Sequence, residues 1–170
     1  MKNELELKLV ELYPVIFRDY GGDMRKTCMH WGMSCGDGWY SLLDALCQTL
    51  ESITAGKDVQ VIADQVKEKL GGLRFYYHVD YDPDIFDRIR WRLRNFMCRH
   101  HWGVQYNNLV DFKQKYFKST VEKISDAIHY AESQSYRTCE RCGRHGERKG
   151  GSWIGTLCEE CDKKLSDPVG

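Results

Sequence analysis

The chain lacks an excess of charge of either sign. In 170 residues, 25 Lys and Arg stand against 25 Asp and Glu. No global field draws the protein to nucleic acid, and any such binding needs a local patch. It has no apolar run near 18 residues, so no membrane-spanning helix and no membrane partner are expected. The opening "MKNELELKLVELY" alternates charge with leucine where a secretory signal would carry an apolar core, which points to the cytoplasm. Prolines number only three, and no internal repeat or low-complexity linker occurs. With 42% hydrophobic and 12% aromatic residues, extended disorder is excluded and one domain with a small appendage is expected. No Walker loop, GxGxxG, HExxH, GxSxG or paired-carboxylate pattern occurs, so the expectation is a non-enzymatic protein.

Cysteine, by contrast, is plentiful: eight residues, in a compartment where thiols stay reduced. Four of them, Cys139, Cys142, Cys158 and Cys161, read C-x2-C, fifteen residues, C-x2-C. That spacing is a strong signal for structural zinc, because each short gap turns two sulfurs towards one tetrahedral centre. Four thiolates leave no coordination position for water, so a catalytic zinc is not expected. Gly143 suits a tight knuckle, "GSWIGTL" a returning strand, and Cys158 to Leu165 a short helix, which is the order of a treble clef. Metal binding at such a site releases about 10–16 kcal/mol, most of it into folding. The C-terminal thirty residues are therefore expected to be unfolded without metal. Cys28, His30 and Cys35 have no standard finger spacing; they form either an incomplete second metal site or part of a packed loop anchored by Trp31 and Trp39.

Hydrophobic periodicity gives the elements. Residues 4–19 read as a helix with Leu5, Leu9, Leu12, Ile16 and Phe17 on one face, interrupted at Pro14. Residues 20–38 are a long glycine-rich loop, after which Asp37 can cap a helix over 38–54, whose stripe is Trp39, Leu42, Leu43, Leu46, Leu50 and Ile53, with Cys47 beside it. Residues 59–72 admit two readings: a strand then a short helix ended by Gly71, or one long strand turning at Gly71-Gly72 into a hairpin. Residues 73–79 are a strand with Leu73, Phe75, Tyr77 and Val79 on one side and Arg74, Tyr76 and His78 on the other. Asp82 and Pro83 start a further helix, and residues 106–134 form another through Val110, Phe117, Val121, Ile124 and Ile128. The whole is an α+β fold, helices packed on a small antiparallel sheet with a C-terminal treble-clef-like zinc module: a main domain over 1–135, a module over 136–165 continuous with it, and a frayed tail over 166–170.

Two clusters are candidates for binding. Arg74, Tyr76 and His78 share a strand face and combine an aromatic ring with cationic groups, as stacking on a base and holding a phosphate require. The alternative is that they simply face water. The stretch "RIRWRLRNFMCRHHW" carries Arg88, Arg90, Arg92, Arg94 and Arg99, a solvated helix face or an anion-binding one. A nucleic-acid-binding regulator would use Arg90, Arg92 and Arg94 of the basic helix 88–101 together with the zinc knuckle, and a nuclease could be built around His100 or His101. The sequence does not decide whether the chain forms a homo-oligomer.

Three stretches, "WGMSCGDGWYSLLDALC", "QVKEKLGGLRFYY" and "AESQSYRTCERCG" with "SWIGTLCEEC", resemble a family of small, mostly uncharacterised proteins encoded by bacteriophages and prophages. The resemblance spans roughly residues 21–79 and 126–161, and segment 80–125 lies outside it. In this chain Arg144-His145-Gly146 stand where a proline would be expected after the knuckle glycine. The resemblance implies a phage-borne protein of the host cytoplasm with no activity attached. The expectation drawn from it is an accessory protein that binds a host component, a protein or a nucleotide-type ligand, to counter bacterial defence.

Overall fold

The computed structural model describes residues 1–81, 107–150 and 154–166, with 107–118 and 166 described by backbone alone. Helix α1 (Asn3–Leu12) stops one residue before the Tyr13-Pro14 pair, where the ring of Pro14 disfavours helical angles in the preceding residue. Residues 14–21 continue as turns. Leu9, Ile16 and Phe17 are buried as their spacing predicts, but Leu12 is exposed, because the helix ends before its face can be covered.

The glycine-rich loop is ordered around two short 3-10 turns, Cys28–Trp31 and Asp37–Trp39, which lead into helix α2 (Tyr40–Thr54). Asp37 does not cap α2. It lies inside the second turn, and its carboxylate accepts from the backbone N–H of Lys2 at 2.7 Å, tying the loop to the start of α1. Trp39, Leu43, Leu46, Cys47 and Leu50 are buried, while Leu42 and Ile53 are partly covered at the edges of the stripe.

Of the two readings for 59–72, the hairpin holds. Strand β1 (Val59–Lys69) pairs antiparallel with β2 (Gly72–Tyr81), from Val59 opposite Tyr81 to Lys69 opposite Gly72. Leu70 (φ 53°) and Gly71 (φ 80°) form the connection. Positive φ at both positions is the turn geometry whose twist matches the flanking strands. A bulge between Ala63 and Gln65 resets the alternation, so that Val66 joins Val61 and Ala63 in the core.

A two-stranded sheet is marginal unless its edges are satisfied. Along β1, Ala63 N–H donates to the Ile16 carbonyl (2.8 Å), Ser34 N–H to Val66 (2.9 Å) and Glu68 N–H to Ser34 (2.8 Å). The glycine-rich loop thus contributes a short parallel bridge. Along β2, the work is done by helix α3 (Asn107–Ser135). Ser135 Oγ accepts from Leu73 N–H (2.8 Å) and Glu132 from Phe75 N–H (3.0 Å). Ile124, Ile128 and Ala131 of α3 close the core against α2 and β2. The architecture is α+β, helices on a small antiparallel sheet. No helix among the described residues is long and apolar enough to cross a membrane. The expected helix after Asp82, and with it Arg90, Arg92 and Arg94, falls outside the described residues.

Candidate metal centre and its surroundings

The turn after α3 opens the C-terminal cluster. Cys139 N–H donates to the Arg144 carbonyl (2.7 Å) and Gly143 N–H to that of Cys139 (2.9 Å), closing a tight knuckle with φ +76° at Gly143. Strands β3 (Glu147–Lys149) and β4 (Gly155–Leu157) pair antiparallel, and helix α4 (Glu159–Ser166) follows. The order is therefore knuckle, hairpin, helix, as the spacing predicts. The two Cys pairs converge, with the ligand atoms of Cys139, Cys142, Cys158 and Cys161 all within 4.8 Å of one another. None of the seven cysteines among the described residues is in a disulfide. The four sulfurs are free of disulfides and close enough to hold one metal ion.

The environment of the thiols is uneven. Cys139 is buried, Cys158 and Cys161 are half-buried, and Cys142 faces solvent. Arg144 lies across that open side. Its guanidinium points Nε at Cys142 Sγ (3.4 Å) and Nη2 at Cys158 Sγ (3.7 Å), and grips Glu160 through two contacts of 2.7 Å. The side-chain and backbone N–H groups of Arg144 pull the Cys142 thiol down to about 6. Burial pushes Cys161 up. The residue found in place of the expected proline thus links one cysteine of each pair to α4.

This module does not hang from the main domain. Gly38 N–H donates to the Glu140 carbonyl (2.8 Å), Gly36 N–H to the Glu140 carboxylate (3.0 Å), and the Trp39 indole to the Thr138 carbonyl (2.8 Å). A Cβ on Gly38 would lie 2.2 Å from the Cys139 carbonyl oxygen, and one on Gly36 2.2 Å from that of Glu140. The glycines of "CGDGW" are there because the knuckle backbone lies directly on them. Burial and the neighbouring Glu68 raise the Glu140 carboxyl above its ordinary range. On the other side, Thr156 Oγ1 donates to the Gly71 carbonyl (2.5 Å), so the hairpin tip is docked as well.

The remaining expected site residues are dispersed. Cys35 is buried, its thiol pushed up to about 12 by desolvation, whereas Cys28 is exposed. His30 Nδ1 sits 2.6 Å from the Gly22 carbonyl. Among the described residues only the C-terminal tetrad forms a metal-competent group, so Cys28, His30 and Cys35 belong to a packed loop. Trp39 anchors that loop, with no exposed surface, but Trp31 does not: it is 72% exposed, because its short 3-10 turn presents it outward.

Arg74, Tyr76 and His78 share the face of β2 opposite the core, as alternation requires, yet their partners differ. Arg74 donates to the Tyr136 hydroxyl (2.8 Å), which raises its already high pKa, and sits 3.7 Å from Glu132. Tyr76 is 42% exposed beneath the Lys67 ammonium. His78 is held between Asp64 (2.7 Å) and Asp80 (3.7 Å). The glycine-rich loop pairs with the edge of β1 that lies away from β2. A cavity of about 570 Å³ lies between α1, α2 and the knuckle, lined by Tyr40, Leu42 and Arg144 among others, and one of about 310 Å³ lies beside Ile16, Leu50 and Val59. Neither is lined by Arg74, Tyr76 or His78. Comparison with family models, with curated proteins and with solved structures finds no match for this chain.

Proposed function

We propose that this chain is a non-enzymatic binding protein whose fold is stapled by one zinc ion on Cys139, Cys142, Cys158 and Cys161. The observation that carries the zinc assignment is the convergence of four sulfurs within 4.8 Å at the junction of knuckle, hairpin and helix. All-sulfur sets favour soft ions, and tetrahedral zinc is the usual occupant of two C-x2-C pairs. Its role is structural, because four thiolates fill the shell and the same knuckle receives the Gly36–Trp39 segment. Zinc at this point holds the loop before α2, the hairpin tip and the C-terminal helix in one body.

The binding part of the proposal rests on the resemblance to phage-encoded proteins. On that reading the chain acts in the cytoplasm of a bacterial host as an accessory protein on a host component, with blunting of a defence as the purpose. Native mass spectrometry is expected to find one zinc per chain, and chelation to unfold the C-terminal module. A protein that stays folded and equally stable after complete metal removal overturns the staple. For the binding part, host lysate passed over the immobilised zinc-loaded chain is expected to yield a saturable partner; reproducible turnover of any substrate by the pure protein overturns the non-enzymatic reading.

A further inference from the structure

We infer that the solvent face of the hairpin beside the metal module, formed by Lys67, Lys69, Arg74, Tyr76, Tyr136 and Arg148, is a binding surface for single-stranded nucleic acid. It goes beyond the proposed function by assigning a ligand class, and it rests on the reading of this chain as a binding protein.

The face is assembled from three segments. Lys67 opposes Arg74, and Lys69 opposes Gly72, so cross-strand pairing sets these side chains on one side. Tyr136, which follows α3, lies over Gly72, where any Cβ would come within 2.5 Å of its ring. Glycine there leaves room for the phenol end of a ring from another segment against the strand. Arg74 and Arg148 then flank Tyr136, at 5.8 Å and 5.6 Å from its centroid, and Lys67 lies 5.1 Å from that of Tyr76. The result is a row of cations interleaved with two tyrosine rings.

Charge and shape decide the ligand. Among the described residues, only Arg74 of these four cations has a carboxylate within 4 Å, Glu132 at 3.7 Å. Lys67, Lys69 and Arg148 have no ion pair among the described residues, and Lys69 and Arg148 are exposed. Three of the four cations thus stand without an ion pair on one side of a neutral chain, the local patch that binding a polyanion requires. His78, between Asp64 and Asp80, marks an acidic end to the row and takes no part. Lys69, Tyr76 and Arg148 are exposed along the face, which suits a strand passing across it rather than an enclosed mononucleotide. Tyr76, 42% exposed, offers a stacking surface that a single strand can use and a duplex, with its bases already stacked, cannot.

The test is fluorescence anisotropy with the zinc-loaded full chain and a labelled 20-mer of mixed sequence, as single strand and as duplex, at 50–300 mM salt. The single strand is expected to bind more tightly than the duplex, with a slope of log affinity against log salt of about −3 from four phosphate contacts. Lys69→Glu with Arg148→Glu is expected to weaken binding by at least about tenfold and to flatten that slope. Tyr76→Ala should weaken it by about tenfold and Tyr76→Phe should restore it, because a phenyl ring still stacks. All these positions are solvent-accessible, and melting curves check that the variants remain folded. Absence of binding at 50 mM salt overturns the inference, and unchanged zinc content and lysate capture would leave the binding-protein reading standing. Binding that ignores these substitutions, equal affinity for duplex, or a mononucleotide that competes at equal concentration likewise overturns the inference.

Discussion

Replacing Gly38 by alanine tests how the metal module is joined to the rest of the protein. A Cβ at this position would lie 2.2 Å from the Cys139 carbonyl oxygen, 2.4 Å from Gly143 N and 2.7 Å from Cys142 N. All three are backbone atoms of the knuckle, so no side chain can swing aside. Reaching ordinary van der Waals separation requires a retreat of about 1 Å. Inserting a methyl into a packed site costs about 1–3 kcal/mol where neighbours can adjust, and a rigid backbone puts this one at the top of that range. The retreat also breaks the 2.8 Å bond from Gly38 N–H to Glu140, a further cost of about 1 kcal/mol. The expected loss is therefore about 3–4 kcal/mol, against a total domain stability of about 5–15 kcal/mol. Gly56→Ala is the control: its φ is +67° with nothing within 4 Å, so only the left-handed backbone costs, about 1–2 kcal/mol. Urea denaturation of the zinc-loaded proteins, followed by circular dichroism, measures both. Competition with a chromogenic chelator reports whether Gly38→Ala also releases zinc faster. A Gly38→Ala protein no less stable than Gly56→Ala, with unchanged metal retention, would refute the direct seating of the knuckle on the loop.

Further outcomes follow from single residues. Leu70→Asn should stabilise the hairpin by about 1 kcal/mol, because Leu70 sits at φ 53° in a turn that favours Asn-Gly; a lower urea midpoint would contradict the turn assignment. Arg144→Ala should speed zinc transfer to a chelator several-fold while leaving zinc stoichiometry unchanged, since it uncovers Cys142 and Cys158 without touching a ligand atom; Arg141→Ala, at an exposed knuckle position, should not. Tyr13 and Tyr20 have phenols raised from 10.0 to about 12, mainly by desolvation, with further help from Asp44 and Glu6 respectively. The unfolded chain loses these protons near pH 10 and the folded one only near 12, so their stabilising contribution is complete below pH 10 and falls as pH rises through that window. Absorbance at 295 nm should show at least two tyrosines ionising only as the circular dichroism signal is lost; complete ionisation near pH 10 in the folded protein would exclude the buried placement.

The "KLGGLRFYY" stretch shows how far local pattern carries. Alternation identified β2 and its two faces, and the glycine pair marked a turn. Whether residues 59–69 were strand throughout could not be read, because the bulge at Asp64 breaks the period and "DQVKEKL" has a helix former's composition. The edge partners, Ser34 along β1 and Ser135 and Glu132 along β2, come from segments far away in sequence, and no local signal announces them. Asp37 and Trp31 mislead for the same reason: a cap and an anchor were inferred from residue type, and tertiary contact gave Asp37 to Lys2 and left Trp31 in solvent.

The sequence by itself determined the chemistry of the metal site. Two C-x2-C pairs are short enough that chain geometry alone turns each pair of sulfurs to one point, and four sulfur ligands favour a soft metal ion. It also determined the core faces of α2 and β2, since burial follows from period. Only the tertiary structure decided what the glycines are for. Gly36 and Gly38 are seats for the knuckle and Gly72 is a seat for Tyr136, because in each case a backbone or ring from more than sixty residues away comes within the space of one methyl group. A close approach between distant segments has no period and no local propensity, so it becomes visible only when the chain is folded.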